Sequence, residues 1–215
     1  MRLERLEATQ RPEKLKAVFN GETLTVSASL CVQFSLCAGM ELDEEAFSAL
    51  KAAVAKEAAR ERAVRILTAS AVSERELEKR LVQKGVLPSD AADAVAWLKE
   101  HRFLDDAATA AQLVDSAVRK GYGRARVKNI LYEKGIPKNL WDEALARIPA
   151  MDDAIDRFLA AKLRGRTADE KTIKKTIDAL LRRGFSYGEI RDALRRYEAD
   201  LEDLELEETM TEELE

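Results

Sequence analysis

Histidine occurs once in this 215-residue sequence, cysteine twice, proline four times and glycine nine times, and aromatic residues make up only 6%. A single histidine, His101, excludes any metal site or proton relay that needs a pair of imidazoles. Two cysteines cannot build a disulfide scaffold. Cys31 and Cys37 fall on different faces of an expected helix and read as buried thiols. No stretch approaches the ~20 apolar residues that a membrane-spanning helix needs. The opening MRLERLEATQ is charged and lacks the apolar core of a secretory signal. A cytoplasmic protein with no membrane partner is therefore expected. Aromatic residues are too few and scattered for a base-stacking platform, Tyr122 being the candidate exception.

What is abundant points to helices. Hydrophobic residues make up 46% of the chain and charged residues 35%, with alanine, leucine, glutamate, lysine and arginine prominent. The start differs. LKAVFNGETLTVSAS sets Asn20-Gly21 between two apolar-alternating runs, and Asn-Gly supplies both positive-φ positions of a type I′ hairpin turn. Leu3 to Glu7 can add a third strand, and a short helix over Ser29–Cys37 follows. Asp43 can cap the next helix, with Leu42 and Phe47 as its staple. That helix runs to Ala69 or breaks near Arg60. Ser73–Glu76 and Ser186–Glu189 read as capping boxes, and Asp105 as a further cap.

A repeat organises the remainder. ELEKRLVQKGV, RVKNILYEKGI and TIDALLRRGF each end a helix in a cation, a glycine and an apolar residue. The glycines are Gly85, Gly135 and Gly184, spaced by 50 and 49 residues. Leu81, Leu131 and Leu180 precede them by four positions; Val95, Leu145 and Leu194 follow by ten. Glycine in the left-handed conformation stops a helix, and the next residue folds back on its last turn. The expected fold is mainly α: an elongated tandem array of three-helix repeats with a small N-terminal β-hairpin/α extension. The divisions are 1–60 for the extension, 61–102, 103–149 and 150–204 for the repeats, and 205–215 for an acidic tail.

Catalytic chemistry finds little support. His101 reads as a helix-ending residue. Asp105-Asp106 reads as a cap and a dipole partner rather than an acid–base pair. GYGRAR lacks the third glycine and the preceding strand of a nucleotide loop. No nucleophile elbow occurs. No catalytic residue, cofactor or metal is assigned.

Charge is more informative. Residues 198–215 hold ten acidic and no basic residues; taking that −10 from the net −4 leaves +6 on residues 1–197. From Arg119 to Lys134 there are six cations and one acid. From Lys162 to Arg196 there are eleven cations and five acids. In the second repeat Val127, Ile130, Leu131 and Lys134 should face inward, leaving Arg124 and Lys128 outside. In the third, Ile173, Ile177, Leu180 and Leu181 should face inward, leaving Lys171, Lys174, Lys175 and Arg182 outside. Gly121 and Gly123 should allow a sharp turn and add free backbone N–H groups. The candidate surface comprises Arg119, Lys120, Tyr122, Arg124, Arg126, Lys128, Lys162, Arg164, Arg166, Lys171, Lys174, Lys175, Arg182 and Arg183. It suits DNA phosphate or an acidic protein, and solvated helix faces are the plainer reading. About five neutralised phosphates would give a log–log salt slope near −4 to −5. No helix spaces Asn, Gln and Arg for base-edge readout.

The run FLDDAATAAQLVDSAVRKGYGRARVKNILYEKGI resembles the central signature of the RecX family, regulators of the RecA recombinase. SERELEKRLVQKGV resembles the family's first-repeat segment, and the NGETLTVS hairpin resembles the extension of its longer members. Ala69–Val72 departs from the arginines the family often sets before that first serine, which moves the expected phosphate contacts to the second and third repeats. The resemblance implies a non-catalytic monomer lying in the groove of the RecA–DNA filament. There it would limit ATP hydrolysis, strand exchange and filament growth, in homologous recombination, DNA repair and the SOS response. The alternatives from the residues alone are a RecA-independent helical-repeat DNA-binding protein and an adaptor for acidic proteins.

Overall fold

Asn20 and Gly21 take φ of 43° and 86°, the two left-handed positions of a tight hairpin turn. They join β2 (Lys14–Phe19) to β3 (Glu22–Ser27), and β1 (Leu3–Ala8) pairs on the other side of β2. The sheet is antiparallel in the order β1-β2-β3, with an irregularity between Leu3 and Arg5. The computed structural model describes residues 1–163 and 170–198. These group into two compact units. The first is Met1–Ser70 with Glu76–Leu104; the second is Ala71–Arg75 with the chain from Asp105 on.

In the first unit, Leu3, Ala17, Phe19 and Val26 form the sheet's share of a core completed by Leu36, Leu42, Phe47 and Leu50. Phe19 and Phe47 meet edge to face at 5.0 Å. Ser27 caps α1 (Ala28–Gln33) by accepting the Leu30 amide. This helix is shorter than expected. Ser35 turns left-handed at φ 48°, and the Leu36 amide bonds back to the Cys31 carbonyl. Leu36 is thereby buried, Cys31 is half-buried and Cys37 is exposed outside the helix. The expectation of two buried thiols on one helix therefore fails at Cys37. Asp43 caps α2 (Glu44–Ala69) through the Ala46 amide at 2.7 Å, and Leu42 and Phe47 are both buried. α2 is unbroken at Arg60. Its later turns bury Ala59, Ala63 and Ile66, and it packs on α4 (Pro88–Glu100), which buries Ala91 and Ala94 and meets α2 through Lys56–Asp93 and Arg60–Trp97. Between them in sequence, α3 (Glu74–Gln83) buries Leu77 and Leu81.

The second unit holds α5 (Asp106–Arg119), α6 (Arg124–Glu133) and α7 (Trp141–Ala146), then α8 (Asp152–Leu163), α9 (Glu170–Arg182) and a last helix, α10, described over 187–198. One core gathers Ala110, Val114, Ala117, Val127, Leu131 and Leu145. Another gathers Ile155, Leu159, Leu163, Leu180, Phe185 and Ile190. Asp105 caps α5, accepting from the amides of Ala107 and Ala108. Ser186 and Glu189 form the expected reciprocal box, at 2.7 and 3.2 Å.

Gly85, Gly135 and Gly184 take φ of 82°, 70° and 90°. The amides of Val86, Ile136 and Phe185 bond to the carbonyls of Leu81, Leu131 and Leu180 at 3.1, 3.0 and 3.3 Å. This is the Schellman helix end that the repeat implied. Gly121 ends α5 in the same way, with the Tyr122 amide on the Ala117 carbonyl.

Candidate functional site

The turn between α5 and α6 does not offer free amides. Gly121 spends its N–H on the Val118 carbonyl, and Gly123 donates to the Arg183 carbonyl at 2.8 Å. Ala125 donates to the Gly184 carbonyl at 3.1 Å. The N-terminus of α6 thus satisfies the C-terminal carbonyls of α9, positive helix end against negative. The approach is backbone on backbone. A Cβ on Gly123 would lie 2.4 Å from the Gly184 oxygen, and one on Gly184 would lie 2.2 Å from the Arg126 nitrogen. The glycines expected to add free backbone N–H groups instead form a joint between the second and third repeats.

Arg183 clamps that joint. Its Nη1 donates to the Lys120 carbonyl at 3.2 Å and reaches the Gly121 carbonyl at 3.5 Å, while its guanidinium lies 4.8 Å from the Phe158 ring. The C-termini of α5 and α9 and the N-terminus of α6 therefore converge. The two cationic clusters seen in sequence meet here: Arg119 and Lys120 from α5, Arg124 and Lys128 from α6, Arg182 and Arg183 from α9. Lys171, Lys174 and Lys175 continue on the outer face of α9 that carries Arg182, at helical spacing.

Not all of these cations are open to a partner. Arg124 donates to the Leu145 carbonyl at 3.3 Å, and Arg126 pairs with Glu133 at 3.3 Å. Lys162 sits 5.9 Å from the Phe158 ring. Tyr122 is half-buried against the second repeat's core. Arg196, counted in the basic window, is taken by Asp152 and Asp156 at 3.2 and 2.9 Å; the hydrogen bond to Asp156 is the main cause of its raised pKa. Arg164 and Arg166 lie outside the described residues, as does the acidic tail. Arg119, Lys120, Lys128, Lys171, Lys174, Lys175 and Arg182 are exposed, and their side chains have no hydrogen-bond or ion-pair partner among the described residues.

The inward stripe of α6 is as expected. That of α9 is rotated: Thr176 and Leu180 are buried, Ile173 and Ile177 flank them, and Leu181 is 42% exposed. The core lies on the Thr176–Leu180 line, and Leu181 falls at its solvent edge one helical step beyond.

Sequence reasoning missed three features. Asp106 is buried, and its carboxylate accepts the Glu74 amide at 2.8 Å, while the Ser73 hydroxyl donates to the Lys134 carbonyl. Residues 71–75 are thereby held by the second repeat, a link that adjacent Asp-Asp in the chain does not announce. The aromatics of the first unit are not scattered: Trp97, His101 and Phe103 gather at the end of α4. A cleft of about 660 Å³ opens between the sheet and α2, lined by Thr9, Arg11, Lys14, Lys16, Val54 and Glu61. The Lys14 ammonium is buried there between Glu57 and Glu61, a structural ion pair. Among the described residues no three His, Cys, Asp or Glu side chains are placed to hold a metal, and no helix is long and apolar enough to cross a membrane.

Comparison with known proteins follows the repeat. Residues 59–98, 105–145 and 152–194 match family descriptions reading "RecX, first three-helix domain", "second three-helix domain" and "third three-helix domain". A "Regulatory protein RecX" of Cronobacter sakazakii is 34% identical over 153 residues, 64% of this chain and 91% of that protein. One of Escherichia coli O1:K1 is 31% identical over 151 residues, 64% of this chain and 90% of that protein. A crystal structure titled regulatory protein RecX superposes with a TM-score of 0.68 at 22% identity, covering 89% of this chain and 98% of that one. RecX from Lactobacillus salivarius gives 0.61 at 18% identity, covering 68% and 99%.

Proposed function

The chain belongs to the RecX family and is a regulatory protein rather than an enzyme, and from that premise we propose that its target is the RecA–DNA filament. It binds as a monomer in the filament groove, bridges RecA subunits and lowers DNA-dependent ATP hydrolysis, strand exchange and filament growth. The contact surface is the cationic joint of the second and third repeats with the outer face of α9. Arg119, Lys120, Lys128, Lys171, Lys174, Lys175 and Arg182 meet DNA phosphate or acidic RecA surface. Arg124 and Arg183 hold the helices that present them, Arg126 is paired with Glu133 on its own helix, and Lys162 and Tyr122 are packed alongside.

One observation carries this reading. Cations from two repeats converge on one joint and continue along the outer face of α9, and seven of them have no protein partner among the described residues. A structural ion-pair network would have used them, as Arg196 and Lys14 are used. A charge array without counter-charges supplies phosphate contacts without sequence readout.

The test is a titration of RecA's DNA-dependent ATP hydrolysis at well below one protein per RecA, beside binding to bare DNA. Inhibition at low ratio is the expected result. Tight binding to bare DNA with RecA unaffected would replace this reading with a DNA-binding protein that acts without RecA. Neither effect would leave an adaptor for acidic proteins.

A further inference from the structure

Among the described residues, six helices or helical turns end with the same back-folding geometry, and in five of them the residue after the left-handed position turns inward. Leu36, Ile136 and Phe185 are buried there; Val86 and Tyr122 are half-buried. α4 is the exception. Its end is made by Arg102 at φ 58°, with the Phe103 amide on the Leu98 carbonyl at 2.9 Å, yet Phe103 is 62% exposed. Two rules are broken together. A long side chain occupies a conformation that favours glycine, and a large ring is left outside where its counterparts pack inward. Paired breaches of local preference mark places kept for something other than stability.

Phe103 is not alone. Its ring centroid lies 6.4 Å from that of Trp97, and His101 stacks on Trp97 at 4.6 Å; the two pairs are tilted by only 35° and 36°. The His101 Nδ1 is 2.8 Å from the Trp97 carbonyl, which fixes the ring's place on the helix end. The Arg60 guanidinium lies 5.2 Å from the indole centroid. Arg102 is exposed, and its side chain has no partner among the described residues. On α4, Asp93 is taken by Lys56 at 2.6 Å, which holds its carboxyl below the usual range, while Glu100, the residue before His101, is exposed.

We propose that Trp97, His101 and Phe103, with Arg60 and Arg102, form a stacking site for unpaired nucleobases of a single-stranded nucleic acid. Flat rings accept base faces irrespective of sequence, and arginine adds cation–π and phosphate attraction. Bases inside a duplex are already stacked, so the ligand is single-stranded. The site lies wholly in the first unit and does not rest on the filament reading. It is distinct from the cationic joint, which needs phosphate and not bases.

The test uses the full chain carrying Trp141→Phe, so that Trp97 is the one indole left. The probes are short thymidine and uridine oligomers and an abasic phosphodiester of equal length. The base-bearing oligomers should quench Trp97 and the abasic one should not; the stronger quencher tells DNA from RNA. Phe103→Ala and His101→Ala should each weaken oligomer binding about tenfold, with helicity unchanged because both side chains are exposed. Lys174→Glu with Lys175→Glu should leave the quenching in place while weakening phosphate binding. Equal quenching by the abasic probe would overturn the proposal, as would parent-like affinity in Phe103→Ala. So would a Phe103→Ala variant that loses regulation of RecA with oligomer binding intact, which would make the patch a protein contact.

Discussion

The carbonyl before each repeat glycine finds a different donor. Arg62 Nη1 donates to Lys84, the Ser73 hydroxyl to Lys134, and the Gly123 amide to Arg183. The glycines themselves were legible in sequence because a left-handed helix end is a local requirement. Their neighbours were not, because the donors come from other helices. This difference orders the effects of substitution. Gly85→Ala meets open space and bears only the left-handed penalty, about 1 kcal/mol. Gly184→Ala adds an unavoidable backbone clash and should cost about 3 kcal/mol or more. Urea denaturation followed by helical circular dichroism checks the order; equal costs would mean the Gly123–Gly184 joint does not form. Arg102→Gly should go the other way, stabilising by about 1 kcal/mol through relief of the left-handed arginine. A lower unfolding midpoint would show that Arg102 is not strained.

Helices inherit their faces from periodicity, and most were readable. Asp43, Asp105 and the Ser186–Glu189 box cap as their spacing implied, and α2 runs through Arg60 without a break. Two readings failed where periodicity is ambiguous. α1 stops early at Ser35, where nothing in a single residue's propensity announces a left-handed turn. α9 is rotated so that Thr176, not Leu181, joins Leu180 inside, because a threonine whose hydroxyl bonds to the Thr172 carbonyl at 2.8 Å can be buried without loss. The aromatic cluster of α4 also escaped: the four-residue spacing of Trp97 and His101 was visible, but the return of Phe103 beside them depends on Arg102. On α9, Lys171, Lys174, Lys175 and Arg182 share the outer face. Reversing Lys174 and Lys175 to Glu should flatten the log–log salt slope of DNA binding by about 2, with helicity retained. An unchanged slope would move phosphate contact to another element.

Charge is the property of the whole chain most plainly read from sequence: a body of +6 and a terminal stretch of −10. Which cations are available was not legible, because pairing partners such as Asp152 and Asp156 for Arg196 are set by packing. The acidic stretch is proposed to compete with DNA for the cationic surface. Deleting residues 201–215 should then tighten DNA binding at low salt and change little at high salt, where screening shortens the reach of charge to about 3 Å. Unchanged affinity at low salt would reject that competition. The measurement that bears most directly on function is RecA's DNA-dependent ATP hydrolysis, titrated with the parent chain and with a Lys128→Glu, Lys174→Glu, Lys175→Glu variant. Inhibition by the parent well below one protein per RecA, lost in a variant of unchanged helicity, is the expected result. Full inhibition by the variant, or none by the parent, would contradict it.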